Sequence, residues 1–289
     1  YTEINMTNFQ KITNCRSCVS NNLQEILSLG NQTIVGFTYP DTNDPRHWQH
    51  KKKEPIYVPL DLVLCATCYL VQLKHTTNPK LLWNEDYGYR SGINETMRKE
   101  LLSVVVSVSA LKQLEKDDIV VDIGSNDGTL LNSYTSQDII RVGYEPSRNV
   151  VSIGNYPISK IKLFIDFFSR VPFLQEFGRK KAKIITSVAM FYDLEDPNLF
   201  LEDVETILDP EGVFVIQQNY LVGMLEQNAF DNIVHEHLEY YSLLSLENLL
   251  SRHNLEVFNI SQNDINGGSF RTYIRFKGAK VDTEGGLER

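Results

Sequence analysis

The segment Val121–Leu131 constrains the fold more than any other part of the sequence. It reads VDIGSNDGTLL, so the short apolar strand predicted at Ile119–Ile123 leads through a glycine-containing loop into a helix that begins at Thr129. Gly124 permits a tight turn after the strand, and Gly128 lets the helix pack close to it. A strand, a glycine loop and a helix in this order are typical of a Rossmann-type α/β fold that binds its ligand over the loop.

The spacing of the two glycines indicates which cofactor this loop binds. The dinucleotide fingerprint is GxGxxG, and its middle glycine admits a pyrophosphate. Here the spacing is GxxxG, and Asn126 and Asp127 occupy the loop. A loop that carries an anion suits a cationic cofactor without phosphate, a description that S-adenosylmethionine meets and NAD does not. We therefore predict S-adenosylmethionine, with an ordinary Rossmann-like domain carrying incidental acids as the alternative.

Acidic residues also follow the next two predicted strands. Glu145 lies 23 residues after Asp122, at the end of the second strand, where a carboxylate can bind both ribose hydroxyls. Asp166 and Phe167 follow the third strand, and an acid beside an aromatic ring can hold adenine. The predicted cofactor-binding residues are Asp122, Gly124, Asn126, Asp127, Gly128, Glu145, Asp166, Phe167 and Ser187.

Predicted strands and helices alternate around this loop, which indicates an α/β, doubly wound, Rossmann-like fold. With S-adenosylmethionine as the predicted cofactor, we expect the class I methyltransferase form of this fold. The last two strands, Val257–Ser261 and Phe270–Phe276, have no helix between them and predict a terminal hairpin. The other predicted strands are Val58–Val63, Tyr69–Leu73, Ile140–Tyr144, Ile161–Phe164, Lys183–Val188 and Val213–Gln217. The predicted helices are Asn94–Leu114, Thr129–Tyr134, one capped by Ser147, Asn198–Leu208 and Leu243–His253, with a turn at Asp209–Gly212.

The four cysteines of the chain form two CxxC pairs, Cys15 with Cys18 and Cys65 with Cys68. Two such turns can place four thiolates around one tetrahedral Zn²⁺, and full sulfur coordination leaves no position for catalysis. We therefore predict a structural zinc ion. Two disulfides or a redox pair are the alternatives, and the absence of a recognisable secretory signal disfavours disulfides. The chain is accordingly divided into a small irregular zinc-binding domain (1–79), a methyltransferase domain (80–277) and a tail (278–289).

The charge of the chain limits the partners it can bind. A formal net charge of −9 argues against nucleic acid as the main substrate. The basic run His50–Lys53 is interpreted as a solvated loop, with a phosphate site as the alternative. No apolar stretch is long enough to span a bilayer. We therefore expect a cytoplasmic protein that binds neither membranes nor nucleic acid, as a monomer or weak homodimer.

A second group of polar residues, His235, Glu236 and His237, lies in the predicted loop after the fifth strand of the Rossmann-like part. Ligands in such folds gather beyond the carboxyl ends of the strands. A histidine can accept a proton near neutral pH, and a neighbouring carboxylate can orient it or raise its basicity. From these residues alone, a structural polar turn and a metal-binding histidine pair remain alternatives to a catalytic base.

Together, these motifs resemble the nucleotide-sugar C-methyltransferases of branched-deoxysugar biosynthesis. The resemblance extends from the first CxxC pair to about Phe276 and includes several uncommon motifs in one order. Besides the cysteines, the motifs are Tyr87–Gly92, Asp122–Gly128, Glu145–Pro146, Asp166–Phe168, His235–His237 and Asn266–Arg271.

The resemblance implies that a 4-keto nucleotide sugar loses a proton next to its ketone and that the resulting enolate carbon takes the methyl group. It implies that His237 is the general base, Glu236 its partner, and Tyr89 a catalytic residue that contacts the substrate. An O-methyltransferase acting on a sugar or a phosphorylated precursor is one alternative function, and a non-enzymatic zinc scaffold is another. The expected substrate-binding residues are Tyr89, Tyr192, Asn219 and His235.

Three departures from the family pattern concern the substrate rather than the cofactor. Val234 stands where a tyrosine is usual, and Phe191 stands where a histidine often follows the fourth strand. Tyr192 is a candidate to replace one of these groups. The family also has a further C-terminal domain that helps to hold the sugar nucleotide, whereas this sequence ends soon after Phe276. We expect either a truncated chain or a member that works without that domain.

Overall fold

The structure is a computed structural model that describes residues 8–34, 55–83, 87–154, 156 and 161–280. The basic run His50–Lys53 and most of the predicted tail lie outside the described residues. The strands are β1 (Phe9–Lys11), β2 (Leu23–Thr33), β3 (Tyr57–Cys65), β4 (Val71–Leu73), β5 (His75–Thr77), β6 (Ile119–Ile123), β7 (Ile140–Tyr144), β8 (Ile161–Phe164), β9 (Ala182–Val188), β10 (Leu208–Asn219), β11 (Glu239–Tyr240), β12 (Leu255–Asn263) and β13 (Ser269–Phe276). The α-helices are α1 (Pro79–Leu82), α2 (Glu95–Leu111), α3 (Thr129–Asn132), α4 (Arg148–Ile153), α5 (Arg170–Phe177), α6 (Pro197–Ile207), α7 (Leu221–Gln227) and α8 (Leu243–Leu250).

A seven-stranded sheet forms the centre of the molecule, with the strand order β12-β13-β10-β9-β6-β7-β8. Strands β6 to β10 pair in parallel, whereas β13 is antiparallel to both β10 and β12. All five residues of β6 are buried, as expected for a parallel strand covered on both faces. The predicted α/β sheet and its terminal hairpin are therefore confirmed.

The strand order reverses between β6 and β9. From β6 the chain adds β7 and β8 on one side, then returns to place β9 and β10 on the other side. The connections after β6 and β9 therefore leave the sheet in opposite directions, and a crevice opens at the carboxyl ends of these two strands. Ligands of open α/β sheets bind at such a switch point.

The first part of the chain is more regular than the sequence predicts. Strands β2, β3 and β4 form an antiparallel sheet, which β11 completes from a distant part of the sequence. The sequence missed β2 because almost all of its residues are exposed, so apolar and polar residues do not alternate along it. The predicted irregular domain thus contains a sheet, and residues of the methyltransferase domain belong to that sheet.

Several element boundaries differ from those predicted. The turn predicted at Asp209–Gly212 lies inside β10, where the pairing with β9 shifts register between Leu208 and Val213. The four residues therefore form a bulge rather than a separate turn. Helix α3 ends at Asn132, two residues before the predicted end, and α5 and α7 were not predicted. Among the described helices, none is long and apolar enough to cross a membrane.

Candidate active site

A cavity lies at the carboxyl ends of β6, β7 and β9, where the strand order reverses. It brings together six of the nine predicted cofactor-binding residues with aromatic residues from the segment before α2. The predicted residues that line it are Asp122, Gly124, Asn126, Glu145, Asp166 and Phe167. Trp83, Tyr87, Tyr89, Met190 and Asp193 also line the cavity.

The loop between β6 and α3 has the backbone that its glycines allow. Gly124 and Gly128 have φ angles of 75° and 81°, in the left-handed region. A Cβ atom on Gly124 would lie 3.1 Å from Cγ of Met190, and one on Gly128 would lie 2.9 Å from Cε1 of Tyr156. Gly128 therefore shapes the loop and caps α3 without lining the cavity.

Glu145 is fixed at the wall of the cavity by two backbone groups. The N–H of Asn126 donates to Oε2 over 3.0 Å, and the N–H of Ser147 donates to Oε1 over 2.8 Å. Burial raises the pKa of Glu145, and the two backbone hydrogen bonds oppose this rise. A carboxylate oxygen has a second acceptor site, so the held carboxylate can still accept hydrogen bonds from ligand hydroxyls.

Asp122 provides a second buried carboxyl at the end of β6. The hydroxyl of Thr186 donates to its Oδ1 over 2.6 Å. Burial raises the pKa of Asp122 to about 7, with this hydrogen bond acting in the opposite direction. The carboxyl can therefore exchange its proton near neutral pH, and its charge would pair with an ammonium group bound in the cavity.

Both carboxylate oxygens of Asp127 accept hydrogen bonds from within the protein, and its contact with the cofactor stays a prediction. Its Oδ2 accepts the N–H of Gly92 over 2.8 Å, and its Oδ1 accepts the hydroxyl of Thr129 over 2.7 Å. Neighbouring Asn126 accepts the N–H of Ser91 and donates to the carbonyl of Tyr89, over 2.9 and 3.0 Å. The two loop residues thus tie the segment before α2 to the cofactor loop, and only Asn126 lines the cavity.

Ser187 is the other predicted cofactor residue outside the cavity lining. It is buried within β9, and its Oγ has no hydrogen-bond partner among the described residues. The next residues of the chain, Val188 to Met190, line the cavity instead. The contact of Ser187 with the cofactor therefore stays a prediction.

His237 is held with a defined ring orientation. Its Nδ1 lies 2.9 Å from the carbonyl of Asn232, so Nδ1–H donates and Nε2 is left as the unprotonated nitrogen. The ring packs edge-on against Tyr192, with ring centroids 4.3 Å apart. Burial lowers the pKa of His237 to about 4. The imidazole is therefore neutral at neutral pH and can accept a proton at Nε2.

His235, Glu236 and His237 are called the His-Glu-His block. Within it, Glu236 is the group that changes its charge near neutral pH. Burial raises its pKa to about 7, and its Oε1 is buried without a partner among the described residues. Neither Glu236 nor His237 lines the cavity itself. They are connected to it by the turn that follows β9, in which Tyr192 contacts His237 and Asp193 lines the cavity.

The remaining predicted substrate residues have different surroundings. His235 is buried and its Nε2 donates to the carbonyl of Val58 over 3.0 Å, which ties this segment to β3. Its contact with the substrate stays a prediction. Asn219 donates from Nδ2 to Oδ1 of Asn232 over 2.6 Å, while its own Oδ1 is buried and unpartnered in the described chain. Tyr89 lines the cavity and is partly exposed.

Asp193 and Asn232 are site residues that the sequence did not reveal. Asp193 follows Phe191 and Tyr192 in the chain, but no motif in the sequence shows that Asp193 lines a cavity. Asn232 holds His237 through its backbone carbonyl and Asn219 through its side chain. Such a role depends on tertiary contacts and has no signature in a motif.

The four cysteine sulfur atoms lie within 4.8 Å of one another. The Sγ atoms of Cys15 and Cys68 are 3.6 Å apart, and those of Cys18 and Cys65 are 3.5 Å apart. Disulfide sulfur atoms lie about 2.05 Å apart, so these thiols are free. Zn–S bonds of about 2.3 Å in a tetrahedron place the sulfur atoms about 3.8 Å apart, so the cluster fits one Zn²⁺.

The two CxxC turns have the same backbone arrangement. Val19 and Tyr69 each follow the second cysteine of a pair with φ angles of 61° and 63°. Their N–H groups donate to the carbonyls of Cys15 and Cys65, both over 2.9 Å. Gln72 donates from Nε2 to Sγ of Cys15 over 3.1 Å, which supports a thiolate there.

Two family models match the chain. One, described as "Methyltransferase domain", matches residues 93–260. The other, described as "Putative zinc binding domain", matches residues 15–83, which include all four cysteines. The chain belongs to the methyltransferase-domain family. It contains an S-adenosylmethionine-dependent methyltransferase domain and an N-terminal zinc-binding domain, as the cofactor loop and the cysteine pairs predict.

A curated relative and a solved structure are similar to the chain. The C-methyltransferase NovU of Streptomyces niveus is 30% identical over 269 residues, which cover 89% of this chain and 59% of NovU. The chain thus spans 59% of the length of that relative. A chain from the complex of the Haloferax volcanii Trm112 methyltransferase activator with a methyltransferase matches with a TM-score of 0.51, at 18% identity, over 64% of this chain and 94% of that chain. The relative confirms the resemblance to C-methyltransferases, and the solved structure supports the class I methyltransferase fold.

Proposed function

We propose that this protein transfers a methyl group to carbon in a 4-keto nucleotide sugar, with His237 as the general base. The observation that carries the proposal is the fixed, neutral imidazole of His237, whose Nε2 is free to accept a proton. The similarity to a protein named as a C-methyltransferase supports transfer to carbon. The nucleotide sugar is proposed from the motif resemblance set out above.

The cofactor loop positions the methyl donor in this reaction. Gly124 and Asn126 would hold the cofactor at the cavity wall, Glu145 would accept its ribose hydroxyls, and the exposed ring of Phe167 would stack on adenine. S-adenosylmethionine supplies an electrophilic methyl group on a sulfonium. The cavity that holds it is lined mostly by apolar and aromatic side chains, which exclude water from the reacting centre.

The base prepares the nucleophile on the sugar. His237 takes the proton from the carbon next to the ketone, and the carbanion-like carbon then attacks the methyl group. Asn232 keeps the ring in the orientation and tautomer that this step requires. Glu236, once ionised, stabilises the imidazolium that forms. Tyr89, Tyr192 and Asn219 are proposed to contact the sugar.

The experiment that tests this proposal follows proton removal separately from methyl transfer. The wild-type protein is incubated in deuterated water with a panel of nucleoside-diphosphate 4-keto sugars and the demethylated cofactor. Deuterium uptake at the carbon next to the ketone is then measured by mass spectrometry. We expect uptake with at least one sugar and a methylated product when S-adenosylmethionine is added. Methyl transfer to a sugar hydroxyl without carbon exchange would establish O-methylation instead.

A further inference from the structure

The short turn after β9, Phe191–Asp193, connects the cofactor cavity to the proposed base. Asp193 lines the same cavity as Gly124 and Glu145. The residue before it, Tyr192, packs its ring against His237. The turn also packs against β10 and β11, so its position is fixed by the sheet and by the segment that follows the His-Glu-His block. Asp193 therefore belongs to a rigid wall shared by both parts of the site.

One oxygen of Asp193 has no hydrogen-bond partner in the part of the chain that the structure describes. Its Oδ1 is buried, and none of the described residues donates to it or accepts from it. Buried polar groups are almost always hydrogen-bonded, so an exception in a cavity wall points to a partner that arrives with the ligand. The proposed sugar substrate, with its ketone and hydroxyl groups, can supply such a partner.

The charges around Asp193 determine whether it donates or accepts. The carboxyl groups of Glu236 and Glu239 both act on it electrostatically. Burial is the largest effect on Asp193, and together with these two neighbours it raises the pKa of Asp193 well above its ordinary value. Like-charged carboxyl groups in one buried site cannot all ionise, so one of them keeps its proton. A protonated carboxyl can donate a hydrogen bond, which an ionised one cannot.

We propose that Asp193 is a further catalytic residue, which donates a hydrogen bond to the ketone oxygen of the substrate as negative charge develops there. This inference rests on the proposed C-methylation. The base takes the proton from the carbon, the electron pair of that C–H bond forms the enolate double bond, and the carbonyl π pair moves onto oxygen. Asp193 keeps its proton and stabilises this oxyanion. When the carbon bonds to the methyl group, the carbonyl re-forms and the methyl–sulfur pair stays on sulfur.

Two substitutions separate a donor from an acceptor at this position. Asp193→Asn keeps the size of the side chain and provides an amide N–H, whereas Asp193→Ala removes the donor. Deuterium exchange next to the ketone is measured for both and for the wild type. Loss of one oxyanion donor lowers rates by about 10²–10³-fold, so we expect that loss for Asp193→Ala. Asp193→Asn should stay within about tenfold of the wild type.

Cofactor affinity and stability serve as controls in the same experiment. Asp193 lines the cavity, so its variants can alter S-adenosylhomocysteine affinity, but this change should be much smaller than the loss of exchange in Asp193→Ala, since Glu145 and the glycine loop are unchanged. If Asp193→Ala does not fold, Asp193→Asn still tests the donor role. If the reaction required a carboxylate at this position, Asp193→Asn would show no deuterium exchange. Wild-type exchange by Asp193→Ala, or loss of exchange by a folded Asp193→Asn, would overturn the assignment.

The protonation of Asp193 can be checked without any substrate. The infrared difference spectrum between the wild type and Asp193→Asn at neutral pH should contain the carbonyl band of a neutral carboxylic acid. A carboxylate band in its place would overturn the donor role whatever the substrate is.

If no sugar shows exchange with the wild type, the proposed C-methylation fails and this assignment fails with it. Exchange in the wild type with an inactive, folded Asp193→Asn refutes the role of Asp193 alone.

Discussion

The carboxylate of Glu145, the proposed ribose-binding group, is held in a fixed position by the protein itself. Two backbone N–H groups hold its oxygens, so the carboxylate does not have to be ordered on binding. Loss of a hydrogen bond to a charged group costs about 1.5–3 kcal/mol. Glu145→Ala should therefore weaken S-adenosylmethionine binding by about one to two orders of magnitude in a calorimetric titration.

A surface acid provides the control for this substitution. Glu247 is exposed on α8, so Glu247→Ala should leave cofactor affinity unchanged. Glu145→Gln, which keeps the size and one acceptor oxygen, should fall between Glu145→Ala and the wild type. Unchanged affinity for Glu145→Ala, or tighter binding of NAD than of S-adenosylmethionine, would contradict the assignment of the ribose site.

The second prediction at this scale concerns His237. His237→Asn should lower deuterium exchange and methyl transfer by about 10²–10⁴-fold, as expected for a lost general base. Cofactor affinity should remain close to the wild-type value, because His237 does not line the cofactor cavity. His235→Asn is the matched variant, since His235 donates to Val58 and holds the loop. Release of a bound metal by both variants, with loss of activity, would instead favour the metal-pair alternative.

The pH dependence of the reaction should report Glu236 rather than His237. The pKa of His237 is lowered to about 4, so the ring is already neutral between pH 6 and 8. The pKa of Glu236 is raised to about 7, so its negative charge appears as the pH rises through neutrality. The exchange rate at saturating cofactor should therefore rise through about pH 7 in the wild type and become flat in Glu236→Gln.

Asp122 allows this pH effect to be tested for specificity. Its pKa is also raised to about 7 by burial, but it lies at the cofactor end of the cavity. Asp122→Asn should change the pH dependence of cofactor binding and keep the rise in exchange at saturating cofactor. If the rise disappears in Asp122→Asn and persists in Glu236→Gln, the titrating group has been assigned to the wrong carboxyl.

The sequence predicts site residues well where a backbone motif places them and poorly where side-chain direction decides. Gly124 and Glu145 were found because a glycine turn and a strand end have recognisable positions in the chain. Asp127 and Ser187 lie outside the cavity lining, and the carboxylate of Asp127 accepts the N–H of Gly92. These outcomes depend on contacts with distant segments, which a single sequence does not show.

At the scale of elements, Arg271 joins three parts of the methyltransferase domain. It extends from β13 to Gln217 of β10, with Nε and Oε1 2.6 Å apart, and to Glu100 of α2, with Nη2 and Oε1 2.7 Å apart. It also donates to Ser103 and Ser107 of the same helix. The arginine of the Asn266–Arg271 motif thus fixes α2 on the sheet.

Removal of this arginine should destabilise the protein strongly. The side chains of Arg271 and Glu100 are 6% and 14% exposed, so Arg271→Ala leaves a nearly buried carboxylate without its positively charged partner, with only the amide of Asn263 still donating to it. Such losses cost about 3–5 kcal/mol in the free energy of unfolding. Arg275→Ala is the control on the same strand, because its pair with Glu256 is 25% and 36% exposed and should contribute at most about 1 kcal/mol. Equal losses in urea denaturation would refute the anchoring role.

The elements that the sequence predicted are those with a strong hydrophobic pattern. β6 is apolar and fully buried, and the buried residues of α2 recur at helical spacing, so both were recognised. β2 is an exposed edge strand and α7 is only two turns long, and neither has a pattern that separates it from a loop. The bulge in β10 was taken for a turn because Asp209–Gly212 has turn residues.

At the scale of the whole molecule, the zinc-binding domain is in direct contact with the segments on both sides of the proposed catalytic residues. β11 follows the His-Glu-His block directly and pairs with β4, and the N–H of Leu73 donates to the carbonyl of Leu238 over 2.8 Å. On the other side of the cysteine cluster, Asn248 donates to the carbonyl of Cys68 over 3.2 Å. The buried cysteines also pack within the main hydrophobic core. The metal site therefore supports the position of the proposed base.

Loss of the metal should consequently affect stability and catalysis together. Metal analysis should give one zinc ion per chain, and Cys65→Ser should lower zinc content and the unfolding temperature, since structural zinc contributes directly to folding. In the fraction that remains folded, deuterium exchange should fall more than cofactor affinity, because the cofactor loop lies between β6 and α3 whereas the block is paired to β4. Thr67→Ser, in the same CxxC turn with an exposed side chain, is the control and should keep the zinc. A metal-free Cys65→Ser protein with wild-type stability and wild-type exchange would show that the block is held without the zinc domain.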